Sequence, residues 1–177
     1  EAKSALLTLT DHPEFDPIVS QDDDGHLHWA GNDYVLVFNG DLVDRGPENE
    51  GVLAMVRRLI EEAPPGRVRV TLGNHEALIL SPDHFSFERW FAGRVSTADR
   101  LTFFDAIADG HVIAAYEGYN YTYAHAGSPD PYETDAVNET LIHAVDVLAA
   151  TAGTPDDAAS QRTILDTHSR VLGVGDA

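Results

Sequence analysis

Apolar positions along this chain change period several times, and each change marks an element. Residues 34–39 (YVLVFN) are a short apolar run ending at Gly40. Their β-branched and aromatic content predicts a fully buried strand. Past Pro47, Val52, Met55, Val56, Leu59 and Ile60 recur at helical spacing until Pro64-Pro65-Gly66 stops them. Residues 67–72 (RVRVTL) predict the next strand, ending at Gly73. Strand, helix and strand in that order predict a right-handed crossover and a parallel pair. Helix resumes after Glu76, with an aromatic-rich stretch at 85–91 and a helix over 97–108 that puts Leu101, Phe104 and Ala108 on one face. Residues 111–116 and 119–124, split by Gly118, predict an antiparallel hairpin. A helix over 136–150 turns Leu141, Ile142, Val145 and Leu148 inward, and Thr154-Pro155-Asp156-Asp157 opens a last helix to about Thr167. Upstream, residues 5–10 read as the end of a helix, and the polar stretch 11–33 contains a short hairpin arm at 26–29.

Ligands of α/β sheets bind beyond the carboxyl ends of strands. Three loops in such positions carry the chemistry: 40–46 (GDLVDRG), 73–76 (GNHE) and 124–127 (AHAG). They bring Asp41, Asp44, Arg45, Asn74, His75 and His125 toward one rim. Two carboxylates, an amide oxygen, two imidazoles and a guanidinium suit a hard divalent metal beside a phosphate. Taken singly, each loop has a plainer reading: a surface turn with an Asp44–Arg45 ion pair, a capping Asn74, a core or hinge His125. Three such coincidences in one chain are a poorer account than one site.

Length and composition narrow the class. The 177 residues suit one domain, 1–177, with ample chain for a core. With no cysteine, disulfides, zinc–thiolate sites and thiol nucleophiles are excluded. No apolar run approaches the ~18 residues of a membrane helix, and no basic–apolar–cleavage pattern opens the chain. A cytoplasmic protein with no membrane partner is therefore expected. Thirty acidic residues stand against 11 basic ones, and Lys3 is the sole lysine. A net charge of −19 lacks the basic footprint of a nucleic-acid binder. Acid dispersed along the whole chain resembles the proteins of salt-accumulating halophiles, in which salt screens the self-repulsion.

The motifs GDLVDRG, GNHE and HAG, in that order and spacing, resemble the calcineurin-like metallophosphoesterase superfamily. Within it they are similar to the PPP-type serine/threonine phosphatases, the symmetric dinucleoside tetraphosphatases and the Shewanella-like phosphatases, the last also through residues 29–33. The resemblance implies an α/β fold, an α+β sandwich of two central mixed β-sheets flanked by helices in four layers. It implies two divalent metal ions, manganese first, with iron or zinc as alternatives. Asp41 would bridge the ions, and Asn74 and His125 would bind the second, Asn74 also lying against substrate. His75 would protonate the leaving group, Asp44 would orient His75, and Arg45 would bind the substrate phosphate. The attacking group would be a metal-bridging hydroxide. The implied substrate is a phosphorylated protein or a small phosphoester, with no obligate protein partner. A dinucleoside tetraphosphate hydrolase and a non-catalytic phosphate-binding relative are the alternatives.

Two departures accompany the match. The family's Asp-x-His-Gly motif before the first helix and its later histidine motifs have no counterpart here, so the fold is expected to be incomplete, as if the chain were clipped at both ends. Asp24-Gly25-His26 has the Asp-x-His spacing, which makes Asp24 and His26 secondary metal candidates. Leu27 stands where the family has glycine, and a solvated hairpin arm is the better reading of these residues.

Overall fold

A computed structural model of the chain describes residues 1–31, 33–85, 89–128, 130–169 and 171. The architecture is mixed α/β. Strand β3 (Leu36–Phe38) leads through α2 (Asn49–Glu62) to β4 (Val68–Thr71), and β5 (Val112–Ile113) joins on the far side. The sheet order is β3-β4-β5, and both pairings are parallel, with Phe38 opposite Val70 and Val70 opposite Val112. The parallel pair expected from the strand–helix–strand order is present. Two antiparallel hairpins complete the sheets: β1 (Val19–Gln21) with β2 (Leu27–Trp29), and β6 (Ala115–Gly118) with β7 (Tyr121–Ala124).

Helices cover the sheet. Met55, Val56 and Leu59 of α2 share a core with Val68 and Val70 of β4. The same core takes Phe104 and Ile107 from α5 (Thr97–Ala108), Leu141, Ala144, Val145 and Leu148 from α6 (Thr134–Thr151), and Ile164 from α7 (Asp157–His168). Short helices α1 (Ala2–Leu7), α3 (Asn74–Leu80) and α4 (Pro82–Phe85) fill the remainder. Every residue of α3 from His75 to Leu80 is buried, as a helix flanked by protein on all sides must be.

Several sequence expectations are corrected. The 34–39 run forms a three-residue strand in which Leu36 and Val37 are half-buried, because β3 lies at the edge of its sheet. The single strand expected over 111–116 divides between two sheets. Asn138 of α6 is the cause: its Oδ1 accepts from the N–H groups of Ala114 and Ala115, and its Nδ2 donates to the Ala115 carbonyl. That capture takes the backbone out of the parallel ladder and starts the hairpin. On α5 the inward face is Arg100, Phe104 and Ile107, while Leu101 and Ala108 face solvent. A buried ion pair rotates the helix. Arg100 forks onto both oxygens of Asp157 at 2.9 and 3.0 Å and donates to the Leu80 carbonyl. Against the burial that raises it, Arg100, Gln161 and the Gly153 N–H hold the Asp157 carboxyl below its usual range. In the 85–91 stretch, helix α4 ends at Phe85 and Arg89–Phe91 is turn and bend; residues 86–88 lie outside the described residues.

The β1–β2 hairpin is clamped to the last residue of α2. Glu62 accepts from the Trp29 N–H at 2.9 Å and meets His28 Nδ1 at 2.8 Å, while His28 Nε2 meets Asp22 at 3.1 Å. Bonds to Asp22 and then Glu62 raise the His28 pKa, and His28 draws Asp22 down to about 2. The raised His28 contributes stability below its unfolded value and loses it as pH climbs through the folded one. The lowered Asp22 contributes above about pH 4 and loses it as pH falls toward 2. Hairpin anchoring is therefore expected to be tightest between about pH 4 and 6.5. Amide exchange across Val19–Trp29 checks this: protection that is flat from pH 5 to 9, after correction for intrinsic rates, would remove the clamp.

Candidate active site

The rim beyond the carboxyl ends of β3 and β4 is built by two loops in very close approach. A Cβ on Gly73 would lie 2.4 Å from the Asp41 nitrogen and 2.5 Å from its Oδ1. A Cβ on Gly40 would lie 2.8 Å from the Gly73 Cα and from His125 Nδ1. Only glycine fits at either place. Gly40 also has φ +75°, and the loop that follows holds Asp41, Asp44 and Arg45 at φ 53°, 69° and 58°. Left-handed backbone at non-glycine residues is uncommon, and its concentration here marks a loop shaped for its side chains.

Glu76 holds that shape. Its Oε2 accepts from the N–H groups of Asp41 (2.7 Å) and Gly73 (3.0 Å), and its Oε1 from Leu42 (2.7 Å) and Val43 (3.2 Å). Burial pushes the Glu76 carboxyl above its ordinary range, and the three N–H groups of Asp41, Leu42 and Val43 pull it back. Sequence reading gave Glu76 no role of its own. A signal was present: an acid three residues after a glycine that opens a helix has the spacing of a capping box. Asn74, His75 and Glu76, expected on a loop, are the first turn of α3.

Two groupings result. In the first, His125 Nε2 lies 3.2 Å from Asn74 Oδ1 and 3.5 Å from Asp41 Oδ1. His125 Nδ1 lies 2.7 Å from the Asn39 carbonyl, an acceptor only, so Nδ1 carries the proton. Nε2 of the neutral ring then presents a lone pair to two further lone-pair oxygens. With the ring in that form three acceptors face one another, a donor set that fits a cation, and the hydrogen-bonded back of His125 is the usual support of a metal-binding imidazole. In the second, His75 Nδ1 meets Asp44 Oδ2 at 2.9 Å, both side chains being buried. The His75 ring stacks on Trp90 at 4.5 Å. Its Nε2 is buried with no hydrogen-bond partner among the described residues and stands 4.0 Å from Asp41 Oδ2. Asp44 fixes the Nδ1 proton, which leaves Nε2 to exchange one with a ligand.

Arg45 stands apart from both groupings, in an adjoining cavity of about 290 Å³ shared with Arg89, Trp90 and Arg94. Its guanidinium lies 5.9 Å from the Trp90 ring centre. The second Asp44 oxygen accepts from the N–H groups of Phe91 (2.5 Å) and Ala92 (3.4 Å), which fixes this wall relative to His75. Sequence reading missed Arg89, Trp90 and Arg94, since nothing in their spacing ties them to GDLVDRG. Asp24 and His26 are not brought to the site. They lie with Asp22 in the exposed turn of the β1–β2 hairpin, their ligand-capable atoms within 4.8 Å of one another. That hairpin is clamped to Glu62, whereas the other end of α2 carries Asn49, which accepts from the Asp44 N–H at 2.6 Å. Fourteen helical residues, about 20 Å, separate the two ends.

The sequence profile of the calcineurin-like phosphoesterases matches residues 14–174, most of the chain. The chain belongs to the calcineurin-like phosphoesterase family. No solved structure matches it. The family relation makes this phosphoesterase a metal-dependent hydrolase of phosphoester bonds, in a family that works with two metal ions. Among the described residues of the phosphoesterase, no helix is long and apolar enough to cross a membrane.

Proposed function

We propose that this phosphoesterase is a phosphomonoesterase that removes phosphate from phosphoserine or phosphothreonine in proteins, in the cytoplasm of a halophile. The observation that carries the reaction is the unpartnered His75 Nε2 beside three converging lone-pair atoms. Likeness of GDLVDRG and GNHE to PPP-type phosphatases supports the protein substrate. Asp41, Asn74 and His125 would hold the metal, with Asp41 shared between two ions, and oxygen-rich donors without thiolate favour manganese. Divalent ions bound there would neutralise phosphoryl charge and make water a better nucleophile. Arg45 forks onto the phosphate oxygens. Asp44 keeps the His75 ring in register, and Nε2 gives its proton to the departing serine or threonine oxygen.

The test is phosphate release from a phosphopeptide and from a dinucleoside tetraphosphate, with and without manganese, in multimolar potassium chloride. Manganese-dependent hydrolysis of the peptide is expected. Hydrolysis of the tetraphosphate alone, or turnover indifferent to metal, would replace this reading. In the same buffer manganese is expected to raise the thermal midpoint, by the equivalent of about 2.7 kcal/mol at a hundredfold excess over Kd. Asp41→Ala should abolish the shift.

A further inference from the structure

The cavity beside Asp44 has a charge out of keeping with the chain. Three of the ten arginines in a protein of net charge −19 line it: Arg45, Arg89 and Arg94. All three are exposed. None makes an ion pair with a carboxylate among the described residues. The only carboxylate in the lining is that of Asp44, and both its oxygens are engaged elsewhere, on His75 and on the Phe91 and Ala92 N–H groups. Asn49, the other polar side chain in the lining, is engaged with Asp44 and Gly46. Among the described residues, the cavity thus presents three guanidinium groups that no carboxylate neutralises. Arg45 and Arg89 lie 5.9 and 6.0 Å from the Trp90 ring, which arrays them around one aromatic plate. Its volume of about 290 Å³ is roughly ten times the ~30 Å³ share of one water, enough for a hydrated phosphate.

We propose that Arg89 and Arg94, with Arg45 at the inner edge, form a second anion subsite that takes a second phosphate group of the same substrate. Three guanidinium forks suit a dianion with several acceptor oxygens better than a single carboxylate. Arg45, which follows Asp44 in the chain and lines the cavity with it, would be shared by the two phosphates. The inference rests on the proposed reaction in one respect: the scissile phosphate lies between Arg45 and the Asp41–Asn74–His125 cluster. The preferred substrate is then doubly phosphorylated.

The test compares the whole chain with its Arg89→Ala/Arg94→Ala double variant on four phosphates, at one fixed salt concentration. These are p-nitrophenyl phosphate, a singly phosphorylated peptide, the same peptide with a second phosphoserine close by, and inorganic pyrophosphate. The wild type is expected to favour the doubly phosphorylated peptide through a lower KM. The double variant should lose about 10- to 100-fold in kcat/KM on that peptide, with p-nitrophenyl phosphate unchanged and the thermal midpoint retained. A preference that survives in the double variant overturns the subsite, as does a parallel fall on every substrate. If the wild type shows no preference between the two peptides, a loss confined to pyrophosphate keeps the subsite and assigns it to small polyphosphates. Calorimetric binding of pyrophosphate to metal-free protein separates this inference from the reaction itself. If nothing is hydrolysed yet the double variant loses pyrophosphate binding, the reaction fails and the subsite stands. Equal binding by both proteins removes the subsite.

Discussion

Glu76→Ala is expected to be the most destabilising single change near the site, costing about 3–5 kcal/mol. Four backbone N–H groups end on this one buried carboxylate. An orphaned buried donor costs about 1–3 kcal/mol, and water entering the vacated space recovers part of the total. Against a whole-domain stability of about 5–15 kcal/mol the loss is large. Glu76→Gln sharpens the test. Each carboxylate oxygen serves two donors, so an amide keeps one pair and turns its own N–H₂ toward the other. An intermediate loss of about 2 kcal/mol is expected by urea titration. A glutamine variant as stable as the wild type would mean that the carboxylate does not staple the two loops.

His75→Ala is expected to lower turnover by about 10²- to 10⁴-fold, the range of general acid catalysis. The deficit should depend on the leaving group. It should be large for phosphoserine peptides, whose alkoxide departs poorly without a proton, and small for p-nitrophenyl phosphate. His75 lies outside the Asp41–Asn74–His125 cluster, so the rise in thermal midpoint with manganese should persist. A uniform deficit on both substrates, or a lost response to manganese, would assign His75 to holding the site together and not to proton transfer.

Local signals made part of this molecule readable in advance. The helical run of Val52 to Ile60, the strand at 67–72 and the 136–150 helix rest on periodicity and on proline or glycine stops, and each exists with small shifts at its ends. The candidate site residues were expected from motif spacing, and the loops bring Asp41, Asn74 and His125 into one group and Asp44 and His75 into another. What was illegible depends on partners distant in the chain. The exposed face of α5 follows from Arg100 meeting Asp157, 57 positions on. The break at Ala114 follows from Asn138. The arginine wall follows from Phe91 and Ala92 meeting Asp44. None of these pairings leaves a periodic trace. Asp24 and His26 show the converse: a spacing suggestive in one dimension sits a helix length from the site in three.

Trp90 lies flat on His75 and stands within reach of Arg45 and Arg89. Under the proposed reaction, recognition and proton delivery would therefore share one aromatic ring. A group seated among the arginines bears on the same ring that sets the tilt of the imidazole, so affinity in the pocket and chemistry at the leaving oxygen are not separate dials. Evolution, or an engineer, changing what this enzyme accepts will also change how fast it works.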